Sequence, residues 1–288
     1  MTAYAYYPGC SLSGLGRPYD ESLRAVFGHL GLGLEEIPDW NCCGATSYMS
    51  VSEDKAVALA ARNLALAGPM HEEVVAPCAA CYLVLTKAQH MMHEYPALAE
   101  RVHKGLRAAG LTYPEHVTVR HPLDILVNTV GLEAITAKVT RPLAGYRVAP
   151  YYGCQVVRPY GTFDDPLRPQ TLDRLMAAIG AHVVDYPLKA HCCGGSLTGT
   201  MEEIGVRLNF LLLKEAKARS ANVLATVCPL CQYNLETYQA KMRRAFHEDV
   251  TLPIVYFTQL LGLSFGLSPV SLGLQRNFVT AEPLPAMA

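Results

Sequence analysis

Glu73-Val-Val-Ala-Pro-Cys78-Ala-Ala-Cys81 is a short apolar run that stops at a proline and turns into a Cys-x-x-Cys pair, and Asn222-Val-Leu-Ala-Thr-Val-Cys228-Pro-Leu-Cys231 repeats the arrangement 150 positions later. Upstream of each lies an adjacent pair, Cys42-Cys43 and Cys192-Cys193, and further upstream a lone cysteine, Cys10 and Cys154. The spacings are C-x31-CC-x34-C-x2-C and C-x37-CC-x34-C-x2-C, and they use all ten cysteines of the 288-residue chain. Sulfurs kept only for packing would not repeat in this way. The thiols carry the function, or hold what carries it.

The flanks repeat with the cysteines. Tyr7-Pro8-Gly9-Cys10 answers Tyr152-Gly153-Cys154, Asn41-Cys42-Cys43-Gly44 answers His191-Cys192-Cys193-Gly194, and Val75-Ala76-Pro77-Cys78 answers Ala225-Thr226-Val227-Cys228. This is an internal duplication. Within the first half, strand patterns at 3–7, 34–38 and 73–76 alternate with helix patterns at 21–30, 52–67 and 81–93. The second half repeats this at 146–150, 171–179, 181–186, 201–218 and 222–227, with a helix after Cys231. Such alternation predicts parallel βαβ units. The expected fold is therefore α/β, with two duplicated lobes, each a small, mostly parallel sheet flanked by helices. Residues 1–110 make the first lobe and 146–288 the second, with a C-terminal apolar segment. Residues 111–145 make a helical connection, with helix patterns at 97–109 and 121–130 on and beside it. Every cysteine falls just after a strand, at the sheet edge where open α/β sheets bind ligands.

Cys-x-x-Cys at a helix start is a good chelate, because the helix N-terminus favours thiolate. That alone fits zinc, iron–sulfur or a redox dithiol. The adjacent pair discriminates, since neighbouring side chains diverge and suit a polynuclear cluster better than one tetrahedral ion. Structural zinc and an ordinary cubane each take four ligands, and each half offers five. Gly9, Gly44, Gly153, Gly194 and Gly195 stand beside these positions, where bare backbone can approach a cluster and donate N–H groups. Zinc in one lobe stays open as the alternative, and with it a zinc-stabilised interaction module.

The bulk numbers exclude other classes. The chain is 51% hydrophobic and 17% charged with a net charge of −1, and shows no basic stripe, so nucleic acid is not an expected partner. The N-terminal residues lack the charged and apolar regions of a secretory signal, which predicts a cytoplasmic protein and argues against disulfides. Residues 252–274 contain no charge and are long enough for a membrane span. Pro253, Pro269 and three glycines interrupt them, so they read better as a strand at 253–257, a helix at 258–267 and an apolar loop. An apolar docking surface there is the remaining possibility. The last stretch, 282–288, carries no signal.

Other residues invite weighing. His121 and Asp124, between the halves, are the candidate catalytic residues as a proton supply, against an ordinary interlobe hydrogen bond. His191 and its counterpart Asn41 are candidate donors to a cluster sulfur. Trp40, the only tryptophan, reads as a core aromatic before it reads as a shield for a cluster. Asp164 and Asp165, before Pro166, read as helix caps. The run 194–200 lacks the lysine of a phosphate loop.

The two cysteine sets resemble the CCG (cysteine-rich) domains of the B-type component of heterodisulfide reductase and its relatives, from Tyr6 to about Gly266. Ala149-Pro-Tyr-Tyr-Gly-Cys154, Asp164-Asp165-Pro166 and Tyr256-Phe-Thr-Gln-Leu-Leu-Gly262 are similar to that family as well. The resemblance implies two noncubane [4Fe–4S] clusters, one on Cys10, Cys42, Cys43, Cys78 and Cys81, the other on Cys154, Cys192, Cys193, Cys228 and Cys231. It implies an oxidoreductase subunit of a heterodisulfide reductase-like complex, acting on a thiol/disulfide substrate by one-electron steps. A ferredoxin-like C-type subunit, fed by a flavoprotein A-type subunit, would be its partners. Other relatives belong to unusual succinate dehydrogenases. A quinone-linked electron-transfer or anchor subunit, peripheral to the membrane, is the second reading.

Overall fold

The computed structural model describes residues 2–45 and 48–279, so 282–288 lies outside the described residues. Its first half runs β1 (Thr2–Tyr6), α1 (Gly9–Leu12), α2 (Arg17–His29), β2 (Leu32–Glu36), α3 (Tyr48–Val51), α4 (Glu53–Ala67), β3 (Glu73–Val75), α5 (Ala79–Glu94), α6 (Pro96–Ala108) and β4 (Thr118–Arg120). A short α7 (Pro122–Asp124), a π-helical turn at Ile125–Val130 and α8 (Leu132–Thr136) lead to the second half. There β5 (Arg147–Tyr151), α9 (Thr171–Ala178), β6 (His182–Val183), α10 (Glu202–Ala218), β7 (Val223–Thr226), α11 (Pro229–Thr237), α12 (Gln239–Phe246), β8 (Ile254–Tyr256) and α13 (Phe257–Ser264) follow.

Two four-stranded sheets result, ordered β2-β1-β3-β4 and β6-β5-β7-β8, and every pairing is parallel. The fold is the α/β duplication that the cysteine spacing predicts. The central strands are buried toward their C-terminal ends because helices cover both faces, and all four residues of β7 are buried. Asp164 accepts from the N–H groups of Gln170 and Thr171 at the start of α9, as a cap does, whereas Asp165 accepts from those of Leu167 and Arg168 and closes the turn before the helix.

Three expectations change. Residues 111–145, read as a helical connection, contain β4, which pairs with β3 through Val74↔Val119 and Val75↔Arg120. The helix expected at 121–130 is one α turn followed by π-helical turns. The strand expected at 181–186 is the two residues of β6. Residues 252–274 are neither a span nor an apolar face over most of their length: β8 is fully buried, α13 nearly so, and Val270 is the exposed aliphatic. No helix among the described residues is long and apolar enough to cross a membrane.

The halves grip one another reciprocally. α13, which follows the last strand of the second sheet, packs on α2 of the first half, and α7, which follows β4, packs on α9 of the second. At the first contact Tyr19 stacks on Tyr256 at 4.4 Å, and Ser22 Oγ lies 2.7 Å from Thr258 Oγ1. A single hydrophobic core runs through both lobes.

Candidate metal centre

Strand ends place the sulfurs. Cys10 lies in α1 just after β1; Cys42 and Cys43 follow β2; Cys78 caps α5 and Cys81 sits in its first turn. Cys154, Cys192-Cys193, Cys228 and Cys231 follow β5, β6 and β7 in the same way. The sequence-predicted sets converge: Cys42 Sγ lies 3.8 Å from Cys10 Sγ, Cys43 Sγ 3.3 Å from Cys81 Sγ, and Cys193 Sγ 3.4 Å from Cys231 Sγ. Cys10, Cys42 and Cys192 are exposed and Cys154 is half-buried, while the remaining six are buried. Each set therefore runs from an open edge inward.

The surrounding backbone is held identically in both lobes. Gly9 (φ +67°) and Gly153 (φ +69°) take the left-handed conformation. A Cβ there would stand 2.9 Å from Cys81 Sγ in the first lobe and 3.3 Å from Cys231 Sγ in the second. The Tyr7 hydroxyl donates to the carbonyl of Asn41 at 2.8 Å, and that of Tyr151 to the carbonyl of His191 at 2.7 Å, fixing the residue before each adjacent pair. By role, then, Tyr7 corresponds to Tyr151 rather than to Tyr152. Tyr152 instead anchors α9, accepting from Leu172 N–H and donating to Asp173.

His191 serves the site through its carbonyl, its side chain being exposed, whereas the Asn41 amide also donates to the carbonyl of Cys42 at 2.9 Å. Gly194 N–H, not a side chain, reaches Cys192 Sγ at 3.3 Å. Trp40 packs edge-on against Tyr7 with ring centroids 5.6 Å apart. Sequence reasoning passed over Asn63, which exchanges hydrogen bonds with the backbone of Asn41, and Asn234, whose amide donates to Cys193 O at 2.8 Å. Their signal was a polar side chain on an apolar helix face, since both are buried.

The lobes meet at their Cys-x-x-Cys pairs. Cys78 and Cys228, one from each set, face each other closely enough to shift each other's ionisation. His121 sits on the same seam, wholly buried, with Nε2 3.0 Å from Pro77 O and 3.2 Å from Val227 O, the carbonyls just before those cysteines. Nδ1 accepts from Leu123 N–H at 3.2 Å, so Nε2 carries the proton and is shared between the two carbonyls. Burial holds the ring neutral, its pKa down at about 4. Asp124 is engaged by Arg120 and by Asn128 Nδ2. The arrangement is the interlobe hydrogen bond weighed against a proton supply: His121 braces the two ligand-bearing turns, and Asp124 holds the strand end that carries it.

Charge crowding shapes the thiols. Hydrogen bonds from Cys42 and Cys81 pull Cys43 well below the usual thiol range, and those from Cys154 and Cys193 do so for Cys192, with Gly194 N–H and Arg158 assisting. Their neighbours Cys42 and Cys154 are pushed well up by the same contacts and by burial. Sulfurs packed so closely cannot all be thiolate unless a cation stands among them. Among the described residues no group of three or more His, Cys, Asp and Glu side chains is arranged to hold a metal ion. Yet all five sulfurs of the second set line one cavity of about 40 Å³. They surround a space that thiolate-bound metal would occupy.

The model of the cysteine-rich (CCG) domain family matches twice, over residues 4–86 and 148–236, the two segments that carry the sulfurs. The chain belongs to this family. It is 30% identical over 98% of its length to the membrane anchor subunit of an 8-methylmenaquinol:fumarate reductase from Wolinella succinogenes, spanning 98% of that protein. It is 30% identical over 93% of its length to a protein of Archaeoglobus profundus that is like the B-type component of heterodisulfide reductase, spanning 92% of it. To the B-type component of a ferredoxin/F420H2-dependent CoB-CoM heterodisulfide reductase of Methanosarcina acetivorans it is 28% identical over 97% of the chain, spanning 94%. A hypothetical protein from Helicobacter pylori shares the fold, with a TM-score of 0.78 at 14% identity over 97% of this chain, which spans 52% of that structure. Membership in this CCG family, together with its likeness to the B-type heterodisulfide reductase components, makes the chain an iron–sulfur redox subunit that works within a complex.

Proposed function

We propose that the chain exchanges electrons between a ferredoxin-like C-type subunit, itself served by a flavoprotein A-type subunit, and a thiol/disulfide substrate, within a heterodisulfide reductase-like complex. Two noncubane [4Fe–4S] clusters would be held, one by Cys10, Cys42, Cys43, Cys78 and Cys81, the other by Cys154, Cys192, Cys193, Cys228 and Cys231. Such groups supply one-electron transfer when bound. The observation that supports the reading is that both sulfur sets reach one seam, where Cys78 and Cys228 lie close enough to shift each other's ionisation. Two adjacent one-electron centres suit the two-electron cleavage of a disulfide. Gly9 and Gly153 make room for the bound groups, Tyr7 and Tyr151 fix the adjacent cysteine pairs, and the exposed sulfurs Cys10, Cys42 and Cys192 mark the edges that substrate or partner reaches. On this reading 1–110 and 146–288 are the cluster-bearing lobes, and 111–145 the connection that lends β4 to the first sheet.

Anaerobic co-purification with metal analysis, and EPR during thiol or disulfide addition, tests this. About eight irons per chain and a thiol-dependent signal are expected. A folded, colourless preparation holding zinc or no metal would overturn it. The likeness to a menaquinol:fumarate reductase anchor subunit supports a second reading, electron transfer to quinone. Membrane fractionation and quinone-dependent oxidation, without thiol dependence, would select it.

A further inference from the structure

Glu236 is a buried carboxylate that the proposed chemistry leaves unused. It lies on α11, five positions beyond Cys231, and is 2% exposed. Its hydrogen bonds come from neutral donors: Val279 N–H at 2.9 Å, Phe278 N–H and the Gln232 amide. It also lines a cavity of about 300 Å³ with Thr237, Arg243, Thr251 and Phe278, all exposed, so the cavity opens at the surface. Among the described residues of that lining, Arg243, from α12, is the other charged one.

On its inner side Glu236 is joined to the cysteine seam. The Tyr256 hydroxyl donates to Gln232 Oε1 at 3.3 Å, and Gln232 Nε2–H donates to Glu236 Oε2. Tyr256 stacks on Tyr19, and the field at its phenol is set, after burial, by Cys228, Glu236 and Cys78. One row of side chains therefore runs from a cavity open to water to Tyr256, whose phenol feels the charge of Cys228 and Cys78. A carboxylate with water on one side and that seam on the other is placed to balance charge that arrives there.

We propose that Glu236 is a redox-linked proton acceptor. Each electron passed from the ferredoxin-like partner to the iron–sulfur group of the second set is matched by one proton that Glu236 takes from water in this cavity. Carboxylate becomes carboxylic acid, and the buried side of the lobe gains no net charge. When the electron leaves for the substrate, the proton returns to water. The proposal rests on the iron–sulfur reading above. Burial already pushes the carboxyl up to about 7, so added negative charge at the seam tips it toward protonation at neutral pH.

Redox titration of the iron-loaded complex, from about pH 6 to about pH 9, tests this. In the unaltered protein the midpoint of one signal falls with rising pH by up to about 59 mV per tenfold drop in proton activity. Glu236→Gln flattens that dependence, while Glu236→Asp, which keeps a carboxyl, retains it. Redox-difference infrared spectra gain a protonated-carboxyl band on reduction, and Glu236→Gln abolishes it. A loaded protein whose midpoints ignore pH, or a Glu236→Gln variant with an unchanged slope, overturns the proposal alone. A preparation without iron overturns the underlying reading and the proposal with it.

Discussion

Gly9 and Gly153 show how closely single residues are specified around the sulfurs. Both combine a left-handed backbone with a contact to a cysteine of the Cys-x-x-Cys pair, and the contact at Gly9 is the tighter one. Gly9→Ala is expected to cost about 1–3 kcal/mol and Gly153→Ala less, because backbone strain is common to both and the steric clash is not. Urea midpoints together with iron per chain measure this, and equal effects at the two sites would contradict it. These glycines were legible in the sequence because they stand beside cysteines. Glu236 was not, because nothing in a helix pattern marks which carboxylate will lose its water. Folding raises it to about 7 from an ordinary value near 4.3. The folded state then favours the protonated form, so the contribution is full below about pH 4.3 and is lost as pH rises through about 7. Relative to Glu236→Gln, the unaltered protein should lose about 2–3 kcal/mol of stability over that window, measured by chemical unfolding at a series of pH values. A constant difference would show that the carboxyl stays ionised.

Among the elements, β4 and β8 hold the same place in their sheets, yet only β8 could be read from sequence. Ile-Val-Tyr in β8 is an apolar run after a proline, whereas Thr-Val-Arg in β4 is three residues with one apolar member, and its role comes from pairing with β3. An interlobe hydrogen bond from His121 was among the readings, but its place was not, since the residue that follows β4 is aimed at the seam by that strand. Phe257 follows β8 in the equivalent position, and its ring lies 6.4 Å from that of His121. His121→Phe would therefore fit the shape while leaving Pro77 O, Val227 O and Leu123 N–H unpaired by the ring. We expect about 2–4 kcal/mol of destabilisation, read from the unfolding midpoint of the variant. A neutral result would mean that packing, not the shared N–H, holds the two turns.

At the scale of the whole molecule, the duplication and the five-sulfur sets were evident in the spacing, but their meeting was not, because spacing within each half says nothing of how the halves face each other. That relation is set by the crossed packing of α13 on α2 and α7 on α9, and by His121 between the two turns. It separates two kinds of ligand. Cys154 lies at the half-buried edge of the second set, and Cys228 at the seam against Cys78. Cys154→Ser and Cys228→Ser should each lower iron from about eight to about four per chain, because each breaks one set of five. They should differ in what remains. With Cys154→Ser the surviving EPR signal keeps its line shape, whereas Cys228→Ser alters it, because the substitution changes the group that touches Cys78. Identical spectra from the two variants would mean that the side chain at position 228 does not influence the surviving centre, and the seam would then be a structural junction rather than an electronic one.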